Sequence, residues 1–211
     1  MANLLMLRRQ MVAIGQKMQT SGYVVAAEGN LSVRISGHCF LVTPSGMNKG
    51  QLRVQDLVEV DTQGRTAVGK PTSEWPLHRE IYLARPDVKG ICHAHAPWAT
   101  AFAAAGRDLD GNLLTETAEM LPRVPLAARS LPGSTELAAS VRPHLANNDA
   151  ILLGSHGVVT MGTDLEAAFA VLETVERLAQ VTLLSEVAAG QQPLDEQTLR
   201  LLQERGGSSS Y

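Results

Sequence analysis

Apolar residues recur every three or four positions near the start of the chain, over residues 3–20. Further along, over residues 31–35, apolar residues alternate with polar ones. The first spacing predicts an amphipathic helix over residues 3–20, which residues 21–22 end. The alternation predicts a half-buried strand over residues 31–35. After a turn at 37–38, residues 39–42 return as the second strand of a hairpin.

Short apolar runs bounded by turn-forming residues mark the centre of the chain. Residues 57–61 form one predicted strand. Runs at 88–95 and 150–157 are predicted as two more, because they are too short and too sharply bounded for helices. Prolines suit the first turn of a helix, so we predict one helix over residues 76–84 and a shorter one from Pro97.

The C-terminal part of the chain is predicted to be mainly helical. Residues 134–146 form a helix that bends near Pro143. Residues 163–166 (Thr-Asp-Leu-Glu) form a predicted capping box, which begins a long helix that ends at Gly190. A last short helix follows over residues 193–205.

Hairpins and flanking helices together indicate the fold class. They predict an α/β domain whose mixed sheet is covered by helices on both sides. No repeat or interdomain linker interrupts the chain, so we predict a single domain over residues 1–205. Residues 206–211, rich in glycine and serine, are predicted to be a flexible tail. Residues 107–132 show no regular period.

Composition narrows the class of protein. A chain of 211 residues with 45% hydrophobic and 18% charged residues suits a globular domain with a substantial core. The net charge is −3 without a basic patch, so no nucleic-acid partner is expected. No apolar run approaches the roughly 20 residues of a membrane span, and no signal peptide is evident. Cys39 and Cys92 suggest no disulfide framework, so we expect a cytoplasmic protein.

Three histidines lie at the ends of two predicted buried strands. His93 and His95 end the first run, and His156 ends the second. Residues i and i+2 of a strand share one face, so both imidazoles of the first pair can reach one ion. Three imidazoles leave a metal an open position, as catalysis requires. Spacing alone leaves open the alternative of hydrogen-bonded core histidines, and imidazole also suits Co, Mn, Fe and Ni.

Three polar turns add candidate ligand-binding groups. Thr72, Ser73 and Glu74 precede a predicted helix, where backbone N–H groups favour an anion. Asn30 enters a strand from a Gly-Asn turn, and residues 43–46 (Thr-Pro-Ser-Gly) leave one. Each segment taken alone is equally compatible with an ordinary cap or turn. Glu74 could be a first-turn acid that complements the helix dipole, and His78, four residues later, could form a hydrogen bond within that helix.

In their order along the chain, these pieces resemble the class II aldolase/adducin family, and within it the L-fuculose-1-phosphate aldolases. The matching segments are 29–34 (Gly-Asn-Leu-Ser-Val-Arg), 43–46 (Thr-Pro-Ser-Gly), 70–75 (Lys-Pro-Thr-Ser-Glu-Trp), 93–96 (His-Ala-His-Ala) and 155–157 (Ser-His-Gly). Each segment alone is a weak signal. Five of them in register across about residues 3–190 make the resemblance specific.

The resemblance implies a three-layer α/β/α domain around a mainly antiparallel mixed sheet, assembled as a homotetramer with sites at subunit boundaries. It implies Zn²⁺ held by His93, His95 and His156, and Glu74 as an acid/base that also touches the metal. The implied phosphate-binding residues are Asn30, Ser45, Gly46, Thr72 and Ser73. The implied reaction cleaves L-fuculose 1-phosphate or a deoxypentulose 1-phosphate, through an enediolate, to dihydroxyacetone phosphate and an aldehyde.

One departure from the family keeps other reactions open. The aldolases use a tyrosine beyond the His-x-His strand, and the corresponding stretch here has none but contains Glu116 and Glu119. A glutamate in that stretch is compatible with a methylthioribulose-1-phosphate dehydratase, and a sugar-acid-phosphate decarboxylase is a further alternative. A ribulose-5-phosphate 4-epimerase fits less well, since that branch carries aspartate at the position of Glu74. The complete histidine set argues against an adducin-like interaction module.

Overall fold

The computed structural model describes residues 2–188 and 190–206. Its α-helices are α1 (Ala2–Thr20), α2 (Trp75–Ala84), α3 (Pro97–Ala104), α4 (Thr115–Met120), α5 (Thr135–Val141), α6 (Leu165–Ala188) and α7 (Glu196–Gly206). Its strands are β1 (Asn30–Arg34), β2 (Cys39–Val42), β3 (Val58–Asp61), β4 (Gly90–Ala94), β5 (Leu109–Asp110), β6 (Arg123–Val124), β7 (Leu126–Ala127), β8 (Ala150–Leu153) and β9 (Gly157–Gly162). Short 3-10 helices occupy Lys49–Gln51, Val54–Asp56, Gly111–Leu113 and Arg142–His144.

A seven-stranded sheet forms the centre of the described chain. Its strand order is β3-β2-β1-β4-β9-β8-β7. Neighbouring strands are antiparallel except β7 and β8, which are parallel. Strands β5 and β6 pair separately as a small antiparallel ribbon. The predicted mixed, mainly antiparallel sheet is therefore confirmed.

Helices cover both faces of this sheet. Successive side chains of a strand point to opposite faces, and in the central strands the side chains on both faces are mainly apolar and need cover. On β4, Cys92 and Ala94 join the core formed with α1, α3 and α6. Ile91 joins the core formed with α2 and α5 on the other face. Every residue of β4 is buried as a result. The predicted three-layer α/β/α arrangement is confirmed.

The start of α6 differs from the prediction. Asp164 Oδ1 accepts a hydrogen bond from the Ala167 backbone N–H at 2.8 Å, so Asp164 is the N-cap. The predicted capping box, which required Thr163 in that position, is wrong. A carboxylate is the stronger acceptor, and its charge also interacts favourably with the helix dipole.

The other predicted elements agree with the structure to within a few residues. The helix predicted over 134–146 is α5 followed by a 3-10 turn around Pro143, as the expected bend requires. The segment 107–132 holds elements of two to six residues, too short to produce a period. Helix α7 extends to Gly206, the first residue of the predicted tail, while residues 207–211 lie outside the described part. The single domain over 1–205 stays a prediction.

No helix within 2–188 and 190–206 combines the length and the apolar character needed to cross a membrane.

Candidate active site

The three histidines meet on the sheet face that α2 covers. His93 lies on β4, and His95 follows one residue after the strand ends. His156 lies in the turn between β8 and β9. The ring centroids are 4.7–5.2 Å apart, and one nitrogen from each ring lies within 4.8 Å of the others. The structure thus brings together the histidines that the strand spacing predicted.

Local backbone geometry fixes this arrangement. Ser155 has a φ of +56°, a left-handed conformation that costs about 1 kcal/mol or more for a residue with a side chain. It turns the chain so that His156 faces the other two rings. Gly157 lies so close to β4 that an added Cβ would be 2.4 Å from the Ala94 carbonyl oxygen and 2.9 Å from His95 Cδ2. Only glycine fits there without displacing the end of β4, which leads directly into His95.

Glu74 brings a carboxylate to the same point from the N-terminus of α2. Its Oε2 atom lies 2.9 Å from His93 Nε2, and its Oε1 atom lies 3.3 Å from His156 Nε2. The helix begins at Trp75, one residue earlier than predicted, and the Glu74 side chain makes no capping hydrogen bond. The alternative of a first-turn acid that only complements the helix dipole is therefore wrong.

A line of buried polar side chains runs from Glu74 along β1. Asn30 lies directly opposite His93 in the β1–β4 pairing, so both side chains share one face. Asn30 Nδ2 donates to Glu74 Oε2 at 2.8 Å, and Asn30 Oδ1 bonds His78 Nε2. The ring's Nδ1 atom is 2.6 Å from Ser32 Oγ, which is 2.8 Å from the Tyr82 hydroxyl. Sequence reasoning expected His78 to bond within its own helix, and that was wrong.

The direction of these hydrogen bonds follows from the charge state of His78. Burial, together with the charge of His93, lowers the pKa of His78 to about 3, so its ring is neutral near pH 7. The carbonyl oxygen of Asn30 only accepts, so His78 Nε2 carries the proton and Nδ1 accepts from Ser32. Tyr82 must then donate to Ser32. Every donor in the line points towards Glu74, and aligned hydrogen bonds strengthen one another.

The electrostatics of the cluster favour an ionised carboxylate beside mostly neutral imidazoles. Burial acts to raise the pKa of Glu74, but the charge of His93 and the hydrogen bond from Asn30 outweigh it and hold that pKa well below its usual range. Burial and the charge of His93 lower the pKa of His156 to about 4, and they also lower the pKa of His95. For His93, attraction to Glu74 overcomes burial and raises the pKa.

These residues fit a divalent transition metal. Glu74 Oε1, His93 Nε2 and His156 Nδ1 are buried and form no hydrogen bond within the described residues, which is rare for polar atoms. The close contacts of Glu74 with His93 and His156 are charge contacts without hydrogen-bond geometry. His93 Nδ1 lies 2.9 Å from the Val158 carbonyl oxygen, so a neutral His93 presents its Nε2 lone pair to the cluster. Three imidazoles and a carboxylate are ligands that Zn²⁺ accepts.

The predicted phosphate-binding turns line one wall of a cavity of about 220 Å³ beside the histidines. Two backbone hydrogen bonds join these turns: Ser45 N–H donates to the Lys70 carbonyl, and Thr72 N–H donates to the Thr43 carbonyl, both at 3.0 Å. Every residue predicted for this role lines the cavity: Asn30, Ser45, Gly46, Thr72 and Ser73. The structure therefore brings together all the predicted site residues.

Two residues considered from the sequence do not reach this cavity. Glu116 and Glu119 lie exposed on α4 and are absent from the cavity lining. Two others were missed. Glu28 Oε2 lies 3.5 Å from His95 Nδ1, and Lys49 also lines the cavity. Neither residue stands in a recognisable motif, and only the folded chain places them.

A larger groove, of about 610 Å³, lies along the edge strand β3. Its cations are already paired, since Arg8 bonds Glu59 at 2.6 Å and Arg65 bonds Asp61 at 2.7 Å. It carries no cluster of unpaired groups comparable to that around Glu74, among the residues described.

Comparison with known proteins agrees with this fold. The family described as "Class II Aldolase and Adducin N-terminal domain" matches residues 9–183. An L-fuculose phosphate aldolase of Methanococcus maripaludis is 36% identical over 163 residues, covering 77% of this chain and 88% of that protein. A 5-methylthioribulose-1-phosphate/5-deoxyribulose-1-phosphate aldolase of Rhodospirillum rubrum is 33% identical, covering 82% and 79% of the respective chains.

A solved structure of an L-fuculose 1-phosphate aldolase superposes with a TM-score of 0.87 and 27% sequence identity, covering 94% of this chain and 95% of the other. The three-layer fold and its cluster of three histidines and a carboxylate define an enzyme of the class II aldolase type. The chain belongs to the class II aldolase and adducin N-terminal domain family.

Proposed function

We propose that the protein is a zinc-dependent aldolase. Its substrate is a short ketose 1-phosphate, L-fuculose 1-phosphate or a deoxypentulose 1-phosphate, which it cleaves to dihydroxyacetone phosphate and an aldehyde. One observation carries the proposal: Glu74 and three imidazoles meet beside a cavity whose wall is lined by hydroxyl and amide donors. The activities of the two curated relatives, both sugar-phosphate aldolases, support it.

His93, His95 and His156 would hold the zinc ion, with Glu74 beside them. A bound divalent cation supplies Lewis acidity, which polarises a substrate carbonyl and stabilises the negative charge that bond cleavage leaves on the dihydroxyacetone phosphate portion. Neutral imidazoles are the form that binds metal, and the lowered pKa values of His95 and His156 favour that form near pH 7.

Glu74 transfers the proton in this proposal. When the C3–C4 bond of the ketose breaks, the C4 hydroxyl loses its proton to give the aldehyde, and C3 gains a proton to give dihydroxyacetone phosphate. In the synthetic direction both proton transfers are reversed. The hydrogen bond from Asn30 engages Oε2, whereas Oε1 has no hydrogen-bond partner among the described residues. We therefore assign the proton transfer to Oε1.

The phosphate group binds at the cavity wall in this proposal. Hydroxyls of Ser45, Thr72 and Ser73 and the backbone of Gly46 supply donors. Asn30 uses one amide N–H for Glu74, which leaves its second N–H for the phosphate. Binding energy from the phosphate would then orient the carbon skeleton against Glu74.

Release of dihydroxyacetone phosphate from L-fuculose 1-phosphate and from 5-deoxyribulose 1-phosphate tests the function. We expect release that a chelator abolishes and added Zn²⁺ restores. Glu74→Gln should keep the metal and lower kcat at least 100-fold, because it removes the proton-transfer group. Glu119→Gln, an exposed glutamate on α4, is the matched control and should keep full activity.

The same assay separates the alternatives. If the protein still released dihydroxyacetone phosphate after a chelator had removed its metal, metal-dependent cleavage would be contradicted. A metal-containing protein that releases no dihydroxyacetone phosphate would refute the aldolase proposal. Loss of water from methylthioribulose 1-phosphate, or of CO₂ from a phosphorylated sugar acid, would then identify the branch.

We also propose that the working unit is a cytoplasmic homotetramer with sites at subunit boundaries. Leu131 supports this proposal, because it is 77% exposed and adjoins Pro132, which lines the cavity. Contact with a second copy would remove this leucine from water. Light scattering of the purified protein should give four times the 22.6 kDa chain mass, and a monomer would refute the tetramer.

A further inference from the structure

Lys49 is a buried cation in the wall of the cavity. The residue is 1% exposed and begins the 3-10 helix Lys49–Gln51. Its Nζ atom donates to the Ala27 carbonyl oxygen at 2.9 Å and to the Met47 carbonyl oxygen. No carboxylate in the described chain forms an ion pair with it, and its third N–H has no protein partner there. A buried charge without a counter-ion is costly and uncommon.

The ammonium group lies between two segments that line the cavity. Ala27 lies just before Asn30, and Met47 follows Ser45 and Gly46 directly. Lys49 therefore joins two walls of the cavity through their carbonyl groups. Its charge reaches the catalytic cluster, since it acts to lower the pKa of His93.

The charge state suits an anion-binding group. Burial lowers the pKa of Lys49 to about 8, which leaves the ammonium form predominant near pH 7. Two carbonyl oxygens bind that form through their lone pairs and engage two of its three N–H groups. These contacts oppose use of the nitrogen as a nucleophile, because a nucleophilic lysine must lose this proton.

We propose that Lys49 is a further substrate-binding residue, whose remaining N–H forms an ionic hydrogen bond with the phosphate group of the substrate. This inference rests on the proposed function, and it supplies the positive charge that the predicted phosphate-binding set lacks. Asn30, Ser45, Gly46, Thr72 and Ser73 are all uncharged, so Lys49 is the cation that would balance a phosphate dianion.

Inorganic phosphate is the probe for the test, with affinity measured by calorimetry on the zinc-loaded protein. We expect Lys49→Met to weaken phosphate binding at least tenfold. Lys49→Arg keeps the charge and should stay within about fivefold of the wild type. Lys70→Met is the matched control, because Lys70 is an exposed lysine on a neighbouring turn, and its phosphate affinity should not change. Unchanged phosphate affinity in Lys49→Met would overturn the proposal.

A measurement on the wild type covers the case in which Lys49→Met does not fold. In protein labelled with ¹³C-lysine, the Lys49 ε-methylene NMR signal is assigned by its loss in Lys49→Arg. That signal should shift on adding phosphate, and an unmoved signal at saturating phosphate would overturn the proposal. Phosphate binding is measured without turnover. A wild type that binds phosphate through Lys49 but shows no chelator-sensitive cleavage would thus refute the proposed function and leave this inference standing.

Discussion

Replacing His78 with leucine tests whether the hydrogen bonds along β1 position Glu74. His78 is fully buried and contacts Asn30 and Ser32, but it does not line the cavity. His78→Leu removes two hydrogen bonds, each worth about 1 kcal/mol net. It also leaves the buried Asn30 carbonyl oxygen unpaired, which costs about 1–3 kcal/mol more. The free energy of unfolding should therefore fall by about 3–5 kcal/mol.

The kinetic effect follows from the same contacts. Without His78, the Asn30 amide group can rotate, and Glu74 loses its fixed donor. Misplacement of a catalytic group by about 1 Å costs on the order of 100-fold, so we expect kcat to fall about 10- to 100-fold. The KM for the phosphorylated ketose should also rise, because the freed Asn30 is one of the proposed phosphate-binding residues. The zinc content should change little, because His78 is not one of the three clustered histidines.

The assays are urea unfolding, steady-state release of dihydroxyacetone phosphate, and metal analysis of each variant. Tyr82→Phe is the matched control, since it removes only the hydroxyl group at the far end of the line. It should cost about 1 kcal/mol of stability and leave kcat within twofold of the wild type. If His78→Leu lost stability yet kept its kcat, Glu74 would not depend on His78 for its position. Equal loss of kcat in both variants would likewise refute the reasoning.

Two further predictions concern packing and pH. Gly157→Ala should lower stability by about 1–3 kcal/mol and weaken zinc binding, because its Cβ would lie 2.4 Å from the Ala94 carbonyl oxygen and 2.9 Å from His95 Cδ2. Gly37→Ala, with open space around its Cβ, is the control, and equal zinc affinity in both variants would contradict the prediction. The pKa of Lys49 falls from 10.5 to about 8 on folding, so the unfolded chain binds more protons between these values. As pH increases from about 8 to 10.5, the free energy of unfolding of the wild type should therefore rise by up to about 3 kcal/mol relative to that of Lys49→Met. If the difference in unfolding free energy between the two proteins stayed constant over this range, burial would not lower the pKa of Lys49.

The sequence predicted those parts of the site that depend on short-range geometry. The shared direction of His93 and His95 follows from the two-residue repeat of a strand, and the structure agrees. The approach of Glu74 to these rings depends on how α2 packs on the sheet, which no local pattern specifies. For Glu74 the resemblance to known aldolases, and not the spacing, supplied the prediction.

Residues whose role depends on distant partners were missed or misplaced. The four-residue spacing of His78 from Glu74 suggested a bond within the helix, whereas its partners lie 46 and 48 positions away on β1. Lys49 appears in the sequence as an ordinary turn lysine, since its burial requires a carbonyl group 22 residues away. The error at Asp164 was of a different kind. Thr163 and Asp164 are adjacent and either could cap the helix, and the spacing of the apolar residues does not distinguish between them.

The direction of the hydrogen bonds along β1 has a stereochemical consequence. With Tyr82, Ser32, His78 and Asn30 all donating towards Glu74, Oε2 is held as an acceptor and only Oε1 is available to carry a proton. In the proposed reaction, that single oxygen serves one side of the reacting carbon. Of the two hydrogens on the hydroxymethyl carbon of dihydroxyacetone phosphate, the enzyme would therefore exchange only one with solvent. The handedness of this exchange would be set by a row of side chains that never touch the sugar.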